Sequence, residues 1–237
     1  MKPGSFYNRK NYEYTLEDRE LWNKVKKYLS GKKLSATSVL LTIFADTLKE
    51  YNARDEFALI VTIMNRYMSE EDIQEVVGPF TSSTIFTVRS KEDKTLKDRI
   101  DDTQDQLYHD MDNSMVSGIT VMRELKNISA SEKSIPIVFT SMINNKKYDL
   151  SFNHDITYSI SQTPQVYIEC KENEKKGKLN ITWTVAEGSY KREFIEEAFT
   201  SYCTSIEEYF KSLFIENGSS IKLSQLQSSY LYSRRCV

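Results

Sequence analysis

The stretch SISQTPQVYIEC, residues 159–170, starts and ends like a β-strand and is interrupted in between. Ile160, Val166, Tyr167 and Ile168 supply β-branched and aromatic bulk that suits a pleated surface. Between them, Ser161, Gln162, Thr163 and Gln165 set hydrogen-bonding side chains around Pro164, which cannot donate to a strand ladder. Glu169 lies near the end of the stretch. Two other segments share this character, GPFTSSTIF (78–86) and PIVFTSM (136–142). Together the three put Thr81, Ser82, Thr140, Ser141, Ser161, Gln162 and Gln165 near strand ends or bends. Polar groups in such places must be satisfied or used. For any one segment it suffices that Ser and Thr fill a strand and Gln caps a bulge; as a set they allow a polar cleft.

Working outward, the neighbouring segments alternate between strand and helix patterns. FALIVTIM (57–64) is a short β-branched run of the kind that becomes a buried strand. IPIVFTSMI, ITYSIS, QVYIEC and KLNITWTV read as strands, the last two joined as a hairpin through the polar turn at Gly177. Leu16 to Ser30 reads as a helix, and Ser35 or Ser38 can cap a second one. In that second helix Val39, Leu40, Ile43, Phe44, Thr47, Leu48 and Tyr51 share one face. Residues 94–112 repeat Leu96, Ile100, Thr103, Leu107 and Met111 at helical spacing, and a further helical piece follows Ser117-Gly118. A long helix over 190–214 turns Phe194, Ile195, Ala198, Phe199, Tyr202, Ile206, Tyr209 and Phe210 inward. The pattern predicts an α/β fold with helices packed on a mixed sheet. Residues 1–15 are expected to form a lead-in or edge segment, 16–215 the folded body, and 216–237 a polar tail.

Composition narrows the function. The chain has 237 residues, 39% hydrophobic and 28% charged, with a formal net charge of −2, which disfavours a surface for nucleic acid. No apolar run approaches the length of a membrane span, and MKPGSFYNRK lacks the apolar stretch of a secretory signal. Cys170, Cys203 and Cys236 show no metal-like spacing, and reduced thiols in a cytoplasm are expected. His109 and His154 have no ligand partner at metal spacing, so no metal site is predicted. The seven glycines are too scattered for a phosphate loop, and no GxSxG elbow occurs. Asp105 and Asp110 spell DxxxxD, but five helical residues turn about 500°, leaving the two acids ~140° apart.

The order VVGPFTSSTIF (76–86), QLYHDMDNSMVSGITVMREL (106–125), PIVFTSM (136–142), ISQTPQV (160–166) and a closing Trp183…Glu187-Gly188 before a helix resembles the heterocyclization domains of nonribosomal peptide synthetases, the cyclizing branch of the condensation domains. LSATSVLLTIFADTLKEY (34–51) and FALIVTIMNR (57–66) look like the same family, so the likeness runs over residues 6–214. The resemblance implies a chloramphenicol-acetyltransferase-like two-layer sandwich, one lobe of a two-lobed V with a substrate tunnel between the lobes. It covers only the C-terminal lobe. The N-terminal lobe, which carries the family's DxxxxD, has no counterpart, and Asp105–Asp110 is not that motif.

The implied chemistry is peptide bond formation followed by cyclodehydration of a carrier-bound Cys, Ser or Thr to a thiazoline or oxazoline, as in antibiotic or siderophore biosynthesis. By the resemblance, Thr140 and Glu169 stand where the family keeps its catalytic Thr and Asp. Ser161, Gln162, Gln165, Ser141, Thr81 and Ser82 would orient substrate. No cofactor is expected to be bound permanently; phosphopantetheine would arrive on peptidyl carrier proteins. The expected partners are those carriers and an N-terminal lobe supplied in trans, with no nucleic acid and no membrane. Departures are local: Pro79 replaces an acid, Thr184 replaces the Asp after Trp183, and Glu169 is one methylene longer than Asp. A displacement of ~1 Å in a positioned catalytic group can cost on the order of 100-fold. The alternative reading is a non-catalytic remnant that keeps a carrier-binding or scaffold surface. A self-sufficient acyltransferase lacks the required His-x-x-x-Asp.

Overall fold

The computed structural model describes residues 8–51, 56–64, 78, 80–89, 94–129, 135–143 and 166–215. The segment ITYSIS, the tail over 216–237 and Cys236 lie outside them. Eleven elements follow in the order β1 (Arg9–Thr15), α1 (Arg19–Gly31), α2 (Ala36–Glu50), β2 (Phe57–Met64), β3 (Thr81–Val88), α3 (Leu96–Asp112), α4 (Gly118–Ser129), β4 (Ile137–Met142), β5 (Ile168–Lys175), β6 (Lys178–Ala186) and α5 (Arg192–Ser212). The strands make one six-stranded sheet in the order β1-β6-β5-β4-β2-β3. β4 runs parallel to both β2 and β5, and the remaining pairs are antiparallel, so the sheet is mixed as the sequence predicts.

Local chemistry explains the boundaries. Lys176 and Gly177 both take positive φ (53° and 73°), which a two-residue hairpin between β5 and β6 requires. The Asp18 carboxylate accepts from the Leu21 N–H and starts α1 at Arg19, three residues later than Leu16. Leu16 instead continues the line of β1, its N–H donating to the Leu179 carbonyl at 2.9 Å. Ser35 caps α2, and a reciprocal Thr95–Asp98 capping box opens α3. The lead-in segment is an edge strand: β1 lies against β6 in register from Arg9↔Ala186 to Thr15↔Asn180.

One sheet face is apolar. Leu59, Val61, Phe86, Phe139, Ile168, Cys170, Leu179, Ile181 and Trp183 point to it and are buried. Phe44 of α2 sits at its centre, with ring centroids 5.6 Å from Phe139, 5.3 Å from Trp183 and 5.6 Å from Tyr202 of α5. The sequence suggests a one-sided α2, yet Ser38, Leu41, Thr42 and Ala45 are buried as well. The cause is packing: α2 meets the sheet, α3 and α5 together, and its Asp46 receives Arg99 of α3 at 2.8 Å. Met111, placed on the inward stripe of α3 by spacing, is exposed, since α3 is in its last turn there.

Glu172 of β5 points to the same apolar face and is fully buried. It shares a short hydrogen bond with the Tyr202 hydroxyl, which also lies 3.3 Å from the Leu40 carbonyl. A phenol has one proton, so both contacts form when Glu172 is a neutral acid whose Oε1 donates to Tyr202 while Tyr202 donates to Leu40; its Oε2 is buried without a partner among the described residues. Burial pushes the Glu172 carboxyl well above its ordinary range, which agrees. The folded state therefore holds a proton that the unfolded chain releases near pH 4–5, so stability falls as pH rises, by up to about 1.4 kcal/mol per unit, until the folded-state pKa is passed. Glu172→Gln keeps a neutral side chain and is expected to flatten this slope in urea unfolding between pH 5 and 9. Parallel slopes for the two proteins would remove Glu172 as the cause. Phe44→Ala is expected to cost about 3–5 kcal/mol in the same assay.

Candidate functional site

Strand alternation sends every second residue to the face opposite the Phe44 core, where Gly118 of α4 lies against Ser83 and the central strands carry a polar row. Register defines a row straight across all strands: Ser83 on β3, Thr62 on β2, Thr140 on β4, Lys171 on β5, Thr182 on β6 and Glu13 on β1. The adjoining row is Ile85, Ile60, Val138, Glu169, Thr184 and Asn11. Thr140 and Glu169 thus share one face of neighbouring strands, offset by one pleat repeat. Residues directly opposite lie about 4.8 Å apart and the diagonal is about 8 Å.

The Thr140 hydroxyl donates to the Thr62 hydroxyl oxygen at 2.9 Å, which fixes its rotamer and turns its own lone pairs outward. The Glu169 side chain is 13% exposed and its Oε1 lies 3.2 Å from the Lys171 ammonium. Its second oxygen, Oε2, is buried and has no hydrogen-bond partner among the described residues. A hydroxyl oriented by a neighbour and a half-paired carboxylate on one polar surface form an arrangement capable of accepting and returning a proton.

The other predicted site residues divide. Thr81 is exposed at the start of β3, with the parity of Ser83. Ser82 pairs with the core residue Ile63, which puts it on the helix side of the sheet. Ser141 also faces the helices, its hydroxyl 2.9 Å from that of Thr37 on α2. Neither joins Thr140. Ser161, Gln162 and Gln165 lie outside the described residues. Sequence reading missed Lys171 and Thr62. Both were detectable: Lys171 is two residues from Glu169 and so shares its face, and Thr62 is the polar interruption in FALIVTIM.

Other chemistries find no support in the geometry. Asp105 is exposed and Asp110 half-buried on α3, where burial raises the Asp110 carboxyl against the opposing pull of His109 and Gln106. Cys170 and Cys203 are buried free thiols, and desolvation pushes Cys203 up to about 12 and Cys170 well above its usual range. Neither is a thiolate near neutral pH, so neither is a nucleophile. Among the described residues no group of three or more His, Cys, Asp or Glu is placed to hold a metal, and no helix is long and apolar enough to cross a membrane.

Comparison with known proteins places this geometry. The family model for the condensation domain matches residues 2–214, and the chain belongs to that family. Bacitracin synthase 1 of Bacillus licheniformis is 30% identical over 219 residues, which is 89% of this chain and 4% of that protein. Pyochelin synthetase PchF of Pseudomonas aeruginosa is 27% identical over 206 residues, covering 85% of this chain and 11% of its own length. The chain therefore spans a small part of these relatives. Among solved structures, the EpoB cyclization-docking bidomain from Sorangium cellulosum superposes with a TM-score of 0.77 at 24% identity, covering 89% of this chain and 44% of that one. An epimerization domain of tyrocidine synthetase B shares the fold at a TM-score of 0.65 and 13% identity, over 90% of this chain and 50% of that one. The fold is thus the chloramphenicol-acetyltransferase-like α/β sandwich of the condensation domains.

The buried thiols give a direct check. Iodoacetamide at pH 8 is expected to leave Cys170 and Cys203 unmodified in the folded chain and to label both in urea, as read by tryptic mass mapping. Rapid labelling of either in the native state would contradict their burial.

Proposed function

We propose that this chain is the C-terminal lobe of a heterocyclization domain and works with an N-terminal lobe in building a thiazoline or oxazoline on a carrier-bound intermediate. The observation that carries the reading is that Thr140 and Glu169 lie on one face of adjacent strands, the face turned away from Phe139 and Cys170. The share of its structural relatives that the chain covers, 44% of the EpoB bidomain, supports a half-domain. Similarity to a protein named phenyloxazoline synthase MbtB, 29% identical over 177 residues, supports the cyclizing branch. Met115 and Val116 just before α4, and Ile119 and Leu125 along it, are exposed, apolar side chains of the kind that contact partners.

In this reading the amine of a carrier-bound Cys, Ser or Thr attacks the upstream thioester carbonyl, and the upstream carrier's thiol leaves. The side-chain thiol or hydroxyl then adds to the new amide carbonyl. Loss of the resulting hydroxyl with a proton, as water, leaves a C=N bond in a five-membered ring. The Glu169 carboxylate accepts the proton of the ring nitrogen and delivers it to the departing hydroxyl. Thr140, its own proton committed to Thr62, accepts a hydrogen bond from the amide N–H and so orients the amide. No cofactor is bound permanently; phosphopantetheine arms of the carriers bring both substrates.

The test mixes the chain with the complementary N-terminal lobe and two loaded carrier proteins and follows product by mass spectrometry. The wild-type assembly is expected to form amide and then lose one water. Thr140→Ala and Glu169→Gln are expected to accumulate uncyclised amide, with cyclodehydration slowed by about 100-fold or more. Wild-type cyclisation by both variants, or no product above background from the intact assembly, would overturn the proposal. Carrier capture without any product would favour a binding remnant instead.

A further inference from the structure

The nearest cross-strand neighbour of Thr140 on β5 is not Glu169 but Lys171, directly opposite it in register. The Lys171 side chain is 26% exposed and reaches back along its own strand to Glu169 Oε1, 3.2 Å from its ammonium. Both groups are largely withdrawn from water, so the pair is screened less than a surface ion pair. A glutamate has three rotatable side-chain bonds, and the flanking residues in its row, Val138 and Thr184, give its carboxylate little reason to choose a direction. The ammonium supplies one. By engaging Oε1, it leaves Oε2, buried and without a hydrogen-bond partner among the described residues, as the oxygen free to meet another group.

We infer that Lys171 is a positioning residue: its ammonium clamps Oε1 of Glu169 and so presents Oε2 on the polar sheet face beside Thr140. The inference rests on the reading of Thr140 and Glu169 as the reacting pair. A loose carboxylate at this place would cost turnover rather than affinity, because the clamp acts only on the group that moves the proton.

The experiment uses the same reconstituted assembly with Lys171→Met, Lys171→Gln and Lys171→Arg. The Met and Gln variants are expected to lower kcat for cyclodehydration by about 10- to 100-fold, the usual effect of removing a group that orients a functional ligand or side chain. KM for the loaded carriers should change less than twofold, and amide formation should persist. Lys171→Arg, which keeps the cation, is expected to restore most of the rate. Thermal unfolding identifies any variant that fails to fold; having both a Met and a Gln replacement keeps one readable. Unchanged kcat in a folded Met or Gln variant would overturn the inference, as would an equal loss in the Arg variant or a change confined to KM. Those results would leave the site reading intact so long as Glu169→Gln and Thr140→Ala still block cyclisation. If those two do not, the site reading itself fails.

Discussion

Phe44 meets the sheet and α5 at once, in ring contact with Phe139, Trp183 and Tyr202. That contact allows one register only. Because side chains alternate along a strand, a slip of one residue would put Val138 or Thr140 in place of Phe139, and a threonine in place of Trp183, under the ring. The aromatic cluster therefore decides which residues the sheet turns away from its core. Thr140, Lys171, Thr182 and Thr184 are on the other face because Phe139, Cys170, Trp183 and Val185 must be on this one. The polar surface is a consequence of how the hydrophobic one is packed.

Much of the fold was legible because its signals are local. The β5–β6 hairpin announces itself through the Lys176-Gly177 turn, and α5 through eight apolar residues at helical spacing. Features that depend on third parties were less visible. α2 reads as amphipathic, and only the presence of α3 and α5 on its outer side explains why Leu41 and Ala45 are buried. Glu172 lies in a strand as charged as a surface hairpin arm, IECKENEK, and its burial depends on Tyr202, thirty residues away. The candidate site was half legible. Thr140 and Glu169 came from motif position, while the alternation that separates Ser141 from Thr140 also places Lys171 beside them.

By the resemblance Glu169 stands where an aspartate is expected, a difference that the sheet itself addresses. A longer side chain reaches further and points less reliably. In this chain the added reach comes with a cation on the same face two residues on, at salt-bridge distance from one carboxylate oxygen. The pair also explains how a carboxylate only 13% exposed is accommodated on a surface that otherwise offers it hydroxyls and a valine. On the proposed reading, this sheet face is one wall of a cleft, and the opposite wall is the N-terminal lobe.

The most direct measurement is a crystal structure of the chain with its complementary lobe and a carrier bearing a non-reactive amide analogue of the uncyclised intermediate. The analogue's amide is expected on the polar face, within about 3 Å of both Thr140 Oγ1 and Glu169 Oε2, with Lys171 still on Oε1. An amide bound away from β4 and β5, or a Glu169 carboxylate turned from it, would contradict the assignment of this face as the reacting surface.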